Sequence, residues 1–467
     1  MIKVSQLKEL SGSKIWEPKG FSLKSFSSVG IDSRTVRKNE IFFAIKGENT
    51  DGYKYIDNVL KKGIKAIVVN TSKIPELKRK YKDALIVGVK DTTLSLGELA
   101  GNHLRRFNVP VLCIGGANGK TTTKDLVAAV LSEKYKVLKT EGNLNNHIGL
   151  PLTLLKLNKS HQFCVLEVGT NHFGEIEYLC RICRPNFGLV TNIGKEHLEF
   201  FKNERGVARA EFELYDYIMK TGNGFCFYNL DDKYIRAYAR KNFISGDVTY
   251  SYDHKAEFTA RFKGYNRKLQ PEFEARHNDG KYSSFKVSTF GRHSIYNGFA
   301  AYTAGMVFGV KLSDIKSALK NFKLQSSKRM QVEVKSGITF VNDTYNSNPG
   351  SVEMGLKSLK DMKIKGTAHI ILGDMLELGS VSRREHSAIG KLVSEMGFKK
   401  LYTFGSESFH TSRSAKKLEV NLHFKDKESL SRMVLSGLKK GDVVYVKGSR
   451  GMKLEEVIDT IKSKVNL

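Results

Sequence analysis

The sequence predicts an α/β protein of three domains, and two observations support this prediction. At 467 residues the chain is longer than a single hydrophobic core usually supports. Short apolar runs alternate with helical stretches along most of it, which is typical of parallel sheets wound with helices. We predict a small α/β domain at residues 1–90, a central parallel sheet with a phosphate loop of the mononucleotide-binding type at 91–323, and a Rossmann-like domain at 324–467.

Each domain is predicted from its own run of elements. The first contains the β-rich runs IFFAIKG, KAIVVN and ALIVGV. In the central domain PVLCIGG leads to a helix from Thr121, CVLEVGT to a helix near Glu175, and FGLVTNIG to a helix near Arg205. Residues 247–290 alternate polar and apolar residues, which predicts an antiparallel excursion before helices resume at Ser294. The third domain returns to the βα rhythm with GITFVND, AHIILGD, KLYTFGS and DVVYVKGS.

The charge balance restricts the classes of partner. Lys and Arg number 77 against 48 Asp and Glu, a net charge of +29, which fits nucleic acid, anionic lipid or small polyanionic substrates. A bias toward lysine on solvated surfaces explains the same excess. The chain has no basic block with interleaved aromatic residues and no zinc-finger or RNP-type motif, so we expect no nucleic-acid partner. Small anionic substrates stay open.

The apolar residues and cysteines indicate the compartment. No apolar run approaches the roughly 20 residues of a spanning helix, and the start MIKVSQLKELSGSK has lysines where a signal peptide is apolar. We therefore expect a cytoplasmic protein without integral membrane contact. The five cysteines are predicted to be reduced and buried. The CxxC formed by Cys180 and Cys183 has no second pair at zinc-finger spacing, so metal or redox use is not expected.

The strongest single motif is GGANGKT at residues 115–121, between an apolar strand and a helix. Its glycines let consecutive N–H groups face an anion at a helix N-terminus, Lys120 adds a positive charge, and the Thr121 hydroxyl can bind Mg²⁺. The strict phosphate-loop pattern has glycine six residues before the lysine, where this chain has Ile114. A plain strand-to-helix turn would not require Lys and Thr after the glycines. The motif therefore predicts nucleotide binding.

Two further residues follow neighbouring strands of the central domain. Glu167 ends the apolar strand CVLEVGT, and His197 follows the next strand in VTNIGKEHLEFF. The carboxyl ends of parallel strands border the ligand crevice of such sheets. We therefore predict that Glu167 holds a metal and that His197 contacts metal or phosphate, although a structural histidine and a sheet-edge glutamate are the alternatives.

Three polar segments of the third domain also follow predicted strands. They are NDTYNSNP at 342–349, LGDMLELG at 372–379 and VKGSRG at 446–451. Each alone could be a turn. Because all three lie at the same edge of a parallel sheet, we predict that they face one crevice.

On these motifs the chain resembles the Mur ligase family, and the match follows nearly the whole chain in order. The family's own phosphate loop also lacks the first glycine of the strict pattern, as this chain does at Ile114. The run GNLNN at 142–146, with Gly149 and Pro151, resembles the family's substrate loop. The runs DSR at 32–34, FAIKG at 43–47 and DG at 51–52 look like its UDP-sugar motifs.

The resemblance implies an ATP-dependent, Mg²⁺-requiring amide ligase of peptidoglycan precursor synthesis. The segments DTYNSNP and LGDMLELG favour the member that joins D-alanyl-D-alanine to UDP-N-acetylmuramoyl-tripeptide through an acyl phosphate. The sister enzyme that adds the third amino acid usually has an Asp-Asn-Pro-Arg motif in this region, and this chain has none. We expect a monomer whose partners are these two small-molecule substrates.

The resemblance also implies roles for individual residues. Lys120, Glu167 and His197 are the expected catalytic residues. The expected nucleotide-binding residues are Gly116, Asn118, Gly119, Lys120, Thr121, Thr122, Asn297, Arg329 and Asp343, with Gly291, Arg292 and His293 on the adenine side. The expected substrate-binding residues are Ser33, Arg34, Gly47, Asn143, Asn145, Asn146, Asn346, Asn348, Lys447, Ser449 and Arg450. The expected metal site is Thr121, Glu167, His197 and Glu211.

Glu211 departs from the family pattern. Members commonly have a lysine fourteen residues after the metal-site histidine, carbamylated so that it ends in an anionic group near Mg²⁺. Our hypothesis is that the Glu211 carboxylate supplies this charge without CO₂. Its side chain is shorter, so it would act through a water molecule or a helix shift. An ordinary surface glutamate is the alternative.

Three other functions stay open on the sequence. The first is another ATP-dependent amide ligase, either a sister Mur enzyme or folylpolyglutamate synthase. The second is a nucleotide-binding interaction protein with a degraded site. The third, suggested by the charge of +29, is a nucleic-acid-dependent ATPase, which would show steep salt dependence.

Overall fold

The computed structural model describes residues 1–47, 50–266, 270–291, 293–323, 328–362 and 364–465. Three main sheets follow one another along the chain and confirm the predicted α/β class. One sheet lies in each predicted domain. The boundaries themselves stay predictions, and the one between residues 323 and 324 adjoins undescribed residues. Arg292 also lies outside the described part of the chain.

The N-terminal region contains a mostly parallel sheet of five strands. Its order is β2-β7-β6-β5-β4, and only β2 pairs antiparallel, while β1 and β3 form a separate antiparallel pair. The strands are β1 Ile2–Lys3, β2 Lys14–Trp16, β3 Ser25–Phe26, β4 Ser28–Gly30, β5 Glu40–Phe43, β6 Ala66–Asn70 and β7 Leu85–Val89. The helices are α1 Val4–Lys8, α2 Ile56–Lys61, α3 Ile74–Lys80 and α4 Thr92–Leu104, with 3-10 turns at Gly52–Tyr55 and Thr71–Lys73.

The central region is built on a sheet of nine strands, in the order β16-β15-β14-β13-β12-β11-β8-β10-β9. The strands are β8 Val111–Gly115, β9 Val137–Lys139, β10 Phe163–Glu167, β11 Phe187–Val190, β12 Phe225–Asn229, β13 Val248–Ser251, β14 Phe258–Tyr265, β15 Pro271–His277 and β16 Ser283–Lys286. The helices are α5 Lys120–Leu131, α6 Gly149–Leu154, α7 Glu175–Cys183, α8 Leu198–Phe201, α9 Glu204–Glu211, α10 Glu213–Thr221, α11 Lys233–Asn242, α12 His293–Val307 and α13 Leu312–Asn321.

The predicted antiparallel excursion begins later than residue 247. β13 pairs parallel with β12, and β14 pairs parallel with β13. Tyr250 of β13 lies opposite Phe258, the first residue of β14, so the chain steps sideways by one strand and continues in the same direction. Only the pairs β14/β15 and β15/β16 are antiparallel. The alternating pattern was therefore a correct indication of strands and a wrong indication of direction for the first of them.

The C-terminal region contains a six-stranded sheet in the order β17-β18-β22-β19-β20-β21, parallel except for the β17/β18 pair. The strands are β17 Gln331–Lys335, β18 Ile338–Asp343, β19 Ala368–Gly373, β20 Lys400–Phe404, β21 Val420–Phe424 and β22 Val443–Lys447. The helices are α14 Pro349–Lys360, α15 Ser382–Glu395, α16 Ser408–Ser414, α17 Lys427–Ser436 and α18 Glu455–Lys464, with 3-10 turns at Gly379–Val381 and Arg450–Met452. The edge strands β17 and β21 were not predicted, because they are half-exposed and lack an apolar run.

Burial explains why the central strands were easy to predict. Every residue of β8 and β10 is buried, as expected for strands covered by helices on both faces. All five cysteines are buried, as predicted, and none forms a disulfide. Among the described helices, none is both long and apolar enough to cross a membrane.

Candidate active site

A cleft of about 1340 Å³ lies where the carboxyl ends of the central strands face the C-terminal region. Its lining joins the predicted phosphate loop, the substrate loop and the C-terminal segment around Asn346. The predicted site residues in this lining are Asn118, Gly119, Lys120, Thr121, Thr122, Asn143, Asn145, Asn146, Glu167, His197, Asn297, Arg329, Asp343, Asn346, Asn348 and Lys447. The structure therefore brings most of the predicted residues to one place.

The phosphate loop connects β8 to α5. Gly116 and Gly119 have φ values of 114° and 81°, the left-handed region that favours glycine. A Cβ on Gly116 would lie 2.3 Å from Thr191 Oγ1, and one on Gly119 would lie 2.6 Å from Asn297 Oδ1. Neighbouring elements thus leave no room for side chains here. The Asn297 side chain also accepts from Thr123 Oγ1 at 3.1 Å, which ties α12 to α5.

Asn192 holds the same loop from the next strand end. Its carbonyl accepts from the N–H of Ala117 at 2.8 Å, and its Oδ1 accepts from the N–H of Asn118 at 3.1 Å. Its Nδ2 and the Thr191 hydroxyl both donate to the Asn118 carbonyl, at 2.8 and 2.7 Å. The loop is therefore fixed by hydrogen bonds within the central region.

Lys120 lies among three carboxylates. Its Nζ is 3.3 Å from Glu196 Oε2 and 3.9 Å from Glu211 Oε1, and its side chain is only 16% exposed. Burial alone would lower the pKa of Lys120, but the carboxylates of Glu196, Glu211 and Glu167 outweigh burial and raise it. The ammonium is therefore charged when an anionic ligand arrives.

Glu167 ends β10 as predicted and is 2% exposed. Its Oε1 accepts from Asn145 Nδ2 at 2.8 Å, while its Oε2 has no hydrogen-bond partner within the described residues. A buried carboxylate oxygen without a partner is costly unless a ligand or ion satisfies it. Because Glu167 lines the cleft, this oxygen is available to a cation bound there.

Glu211 is fully buried at the end of α9, so it is not a surface glutamate. Its Oε2 accepts from the N–H of Gly116 at 2.6 Å. The pKa of Glu211 is raised to about 8, chiefly by burial and also by the neighbouring Glu196, while Lys120 and the Gly116 N–H oppose the rise. The side chain lies behind the phosphate loop, whereas Glu167 and Glu196 line the cleft.

His197 lies where the central and C-terminal regions meet. Its Nδ1 is 2.7 Å from Glu377 Oε2, and the Glu377 carbonyl accepts from the N–H of Glu199 at 3.2 Å. His197 lowers the pKa of Glu377. Nearby, Lys195 Nζ is 2.8 Å from Glu385 Oε2. This loop after β11 is thus the main polar contact of the central region with the segment after β19.

The predicted C-terminal residues form two groups. In the first, Lys447 Nζ donates to Asp343 Oδ2 and to the Asn346 carbonyl, both at 2.8 Å, so Asp343 is paired within its own sheet. The Arg329 guanidinium lies 3.7 Å from the centre of the Tyr345 ring, and its Nε has no partner within the described residues. The guanidinium is thereby placed against the Tyr345 ring at the cleft wall.

The second group lies beside His197. Asn348 Nδ2 donates to Asn118 Oδ1 at 3.0 Å, a direct contact between the C-terminal region and the phosphate loop. Ser449 and Arg450 line a smaller cavity of about 90 Å³, together with Lys195, Glu196 and Glu377. The single crevice predicted for the three segments is thus two adjoining cavities: segments 342–349 and 446–451 border both, whereas 372–379 borders only the smaller one.

Some predicted residues are not brought to this site. Ser33, Arg34 and Gly47 lie in the N-terminal region and do not line either cavity. Arg34 instead pairs with Asp32 at 2.7 Å and is 85% exposed. Gly116 supports the loop without contributing to the cleft lining.

Sequence reasoning missed four residues that the geometry makes prominent, namely Asn192, Glu196, Tyr345 and Glu377. Glu196 directly precedes the predicted His197, and Tyr345 and Glu377 lie within segments that were singled out. Neighbourhood to a predicted residue or segment was therefore a usable signal for these three. Asn192 depends on its contacts with the distant phosphate loop, which no local pattern reveals.

Whether the residues fit Mg²⁺ can be tested on the donors. In the described ranges no three His, Cys, Asp or Glu side chains form a metal-binding group. Mg²⁺ often keeps several waters and takes only one or two carboxylates beside substrate phosphates. Glu167, with its unpartnered oxygen, and the buried Thr121 at the cleft fit that kind of site.

A phosphate loop with a charged lysine, an unpartnered carboxylate oxygen and a wall from a second domain define a nucleotide-dependent enzyme whose site is completed between domains. Residues 25–103 match the Mur ligase family catalytic domain, residues 114–305 the Mur ligase middle domain, and residues 328–450 the Mur ligase glutamate ligase domain. The chain belongs to the Mur ligase family.

Within this family, the chain is similar to ligases of one kind. The chain is 30% identical to a UDP-N-acetylmuramoyl-tripeptide–D-alanyl-D-alanine ligase of Bacillus subtilis over 94% of both chains. It is also 30% identical to the Haemophilus influenzae ligase of that name over 100% of both. A crystal structure of MurF from Acinetobacter baumannii superposes with a TM-score of 0.86 at 26% identity, covering 99% of both chains. A MurF complex with ADP from Thermotoga maritima gives 0.82 at 26% identity, covering 94% of this chain and 97% of the other.

Proposed function

We propose that this chain is an ATP-dependent ligase that joins D-alanyl-D-alanine to UDP-N-acetylmuramoyl-tripeptide, giving the pentapeptide precursor of peptidoglycan, ADP and phosphate. One observation carries the proposal: a single cleft is lined both by the phosphate loop of the central region and by Asn346 and Asn348 of the C-terminal region. The names of the relatives supply the two substrates. ATP use is supported by the ADP complex of a structural relative.

The chemistry begins with a carboxylate that has no leaving group. An oxygen of the tripeptide's terminal carboxylate attacks the γ-phosphorus of ATP, ADP departs, and an acyl phosphate forms. The amine of D-alanyl-D-alanine then attacks the acyl carbon, phosphate leaves with the carboxylate oxygen, and the amine loses a proton. Both substrates bring negative charge to the first step. Two unit charges 4 Å apart repel by about 4 kcal/mol at an effective dielectric near 20.

The residues around the loop counter this repulsion. Lys120 brings a charged ammonium, and the first N–H groups of α5 have no partner inside the helix. We propose that Thr121, Glu167 and His197 hold Mg²⁺, which when bound neutralises phosphate charge. Glu211 does not line the cleft, so we propose that it serves the metal site only indirectly, through its bond to the Gly116 N–H behind the loop.

The remaining residues are proposed to hold the organic parts of the substrates. Asn143, Asn145 and Asn146 face the tripeptide, and Ser33, Arg34 and Gly47 bind the UDP end. Asn346, Asn348, Lys447, Ser449 and Arg450 face the incoming dipeptide, with ATP contacted by Asn297, Arg329 and Asp343. We further propose that the chain acts as a monomer in the cytoplasm, where a UDP-linked precursor and ATP meet.

A coupled ADP-release assay tests the function. Purified protein is given ATP and Mg²⁺ with UDP-N-acetylmuramoyl-tripeptide and D-alanyl-D-alanine, together and separately. The proposal expects ADP release only when both acceptors are present. Release with UDP-N-acetylmuramoyl-dipeptide and a diamino acid, or with folate and glutamate, would assign the chain to the alternative ligases. The same assay with tripeptides that differ at the third residue identifies the preferred diamino acid.

A further inference from the structure

The phosphate loop divides its N–H groups into two sets. Gly116 donates to Glu211 Oε2, and Ala117 and Asn118 both donate to Asn192. Gly119 caps α5. The backbone N–H groups of the first turn of α5 have no hydrogen-bond partner inside the helix, because no earlier turn supplies a carbonyl. The N–H groups of the loop are thus already bonded to Glu211 and Asn192, whereas those at the start of α5 belong to residues that line the cleft.

The hydrogen bond of the Gly116 N–H depends on a single buried side chain, that of Glu211. Its 2.6 Å bond to Gly116 is formed by a residue that is 0% exposed, carried 95 residues further along the chain at the end of α9. The site is shaped to admit it. A Cβ on Gly115 would lie 2.5 Å from Glu211 Oε2, while its next contacts would be ordinary ones at 3.7 Å.

We propose that Glu211 is a positioning residue that braces the phosphate loop from beneath, through Gly116, and so keeps the loop ready for ATP before any metal binds. This inference rests on the proposed function only for the identity of the nucleotide. It differs from a metal role for Glu211 in what must be kept. The brace needs an oxygen acceptor of the right length, whereas a metal role needs the negative charge.

Two substitutions separate these roles. Glu211→Gln keeps the length of the side chain and an oxygen for Gly116, but removes the charge. Glu211→Ala removes the acceptor altogether. Asp247→Asn is the matched control, because Asp247 is also buried in the central region and accepts from two backbone N–H groups, those of Cys226 and Ile244, away from the cleft.

The measurement is ATP affinity by calorimetry, with and without Mg²⁺, on the full chain. The brace predicts that Glu211→Ala weakens ATP binding roughly 10- to 100-fold in both conditions, the usual range when a buried N–H group is left without an acceptor. Glu211→Gln should stay within about threefold of the wild type. Asp247→Asn should bind ATP like the wild type even if its melting temperature falls. In the ligase assay Glu211→Ala should raise the KM for ATP more than it lowers kcat.

Gly115→Ala gives an independent route if Glu211→Ala does not fold. Its added methyl group displaces the Glu211 carboxylate from Gly116 and should weaken ATP binding although Glu211 itself is unchanged. In combination with Glu211→Ala it should add little, because both changes remove one interaction. Additive losses would overturn the proposal.

Two further results would overturn it. One is a Glu211→Ala protein that folds and binds ATP like the wild type. The other is a Glu211→Gln protein that loses affinity only when Mg²⁺ is present, since that pattern belongs to a metal ligand. ATP binding is measured without the tripeptide or the dipeptide, so either result leaves the ligase assignment untouched. Equally, failure of the ADP-release assay leaves the role of Glu211 untouched.

Discussion

The two walls of the cleft are held in different ways. On the central wall, Asn192 and Glu211 fix the phosphate loop by hydrogen bonds within one region. On the C-terminal side, Asn348 at the cleft and Glu377 and Glu385 beside it each contact the central region through a polar side chain, and Glu377 adds a backbone bond. The nucleotide grip is thus built into one domain, while completion of the site depends on contacts that can form and break. Substitutions on the central wall should therefore reduce ligase activity more than substitutions in the contacts between the two regions.

The largest effect is expected from Lys120→Ala. We expect kcat to fall by about 10²- to 10³-fold, the usual loss when one preorganised group facing developing charge is removed. The melting temperature should fall as well, because the buried carboxylates of Glu196 and Glu211 lose their counter-charge, so kcat is measured at a temperature where both proteins are folded. Steady-state ADP release and thermal unfolding check this. Lys136→Ala, on an exposed lysine, is the control. A nearly normal kcat in Lys120→Ala would contradict the expectation that the central wall contributes most to activity.

Glu167→Gln is expected to come next. The variant keeps the oxygen that Asn145 contacts but removes the charge from a carboxylate whose other oxygen is buried and unpartnered. Turnover should fall by at least about tenfold and need more Mg²⁺, since groups that tune a metal site are typically worth 10- to 100-fold. The melting temperature should not fall, because an uncompensated buried charge has been removed. A Mg²⁺ titration of turnover and a melting curve test both halves; unchanged Mg²⁺ dependence would contradict the first.

A pH effect on stability sharpens the contrast further. Burial raises the pKa of Glu211 to about 8 in the folded protein, above its ordinary value near 4.5. The folded state therefore holds a proton that the unfolded state releases between these values, so stability falls as pH rises from about 4.5 to 8. Replacing Glu211 by Gln removes this titration. The melting temperature of the wild type, relative to Glu211→Gln, should fall by a few degrees between pH 5.5 and 7.5; a constant difference would show that Glu211 does not titrate in this range.

The smallest effect is expected between the walls, from Lys195→Ala. It removes the pair with Glu385, in which the Lys195 side chain is 40% exposed, and the buried Glu385 keeps its second partner, Arg384, at 3.0 Å. Such pairs contribute only about 0–1 kcal/mol, so the KM for D-alanyl-D-alanine should rise less than about fivefold, with ATP affinity unchanged. Kinetics with varied dipeptide and calorimetry with ATP measure the two. A loss comparable to that of Lys120→Ala would mean that the walls contribute equally.

The sequence predicted what depends on local pattern. The phosphate loop, Glu167 at the end of its strand and the buried central strands are all fixed by residues adjacent in the chain, and each lies where it was expected. Glu196 and Glu377 were missed because their importance comes from Lys120 and His197, which other segments bring within reach. The exposed edge strands β17 and β21 were missed because half-buried strands lack an apolar run.

Glu211 shows the limit most clearly. Its position was singled out, yet only the folded chain shows that its carboxylate contacts Gly116 rather than lining the cleft. The direction in which the Glu211 side chain leaves α9 depends on how that helix packs behind the loop. The spacing of residues in the sequence does not reveal this packing. The roles of Ser33, Arg34 and Gly47 stay predictions, since the structure places them away from the cleft.

The most direct test of the account follows one oxygen atom. UDP-N-acetylmuramoyl-tripeptide labelled with ¹⁸O in its terminal carboxylate is turned over with ATP and D-alanyl-D-alanine, and the released phosphate is analysed by mass spectrometry. If the phosphate loop brings the carboxylate to the γ-phosphate, each phosphate formed carries one ¹⁸O atom. Unlabelled phosphate from a reaction that still makes the amide would contradict the acyl-phosphate route and the charge-neutralising role of the central wall.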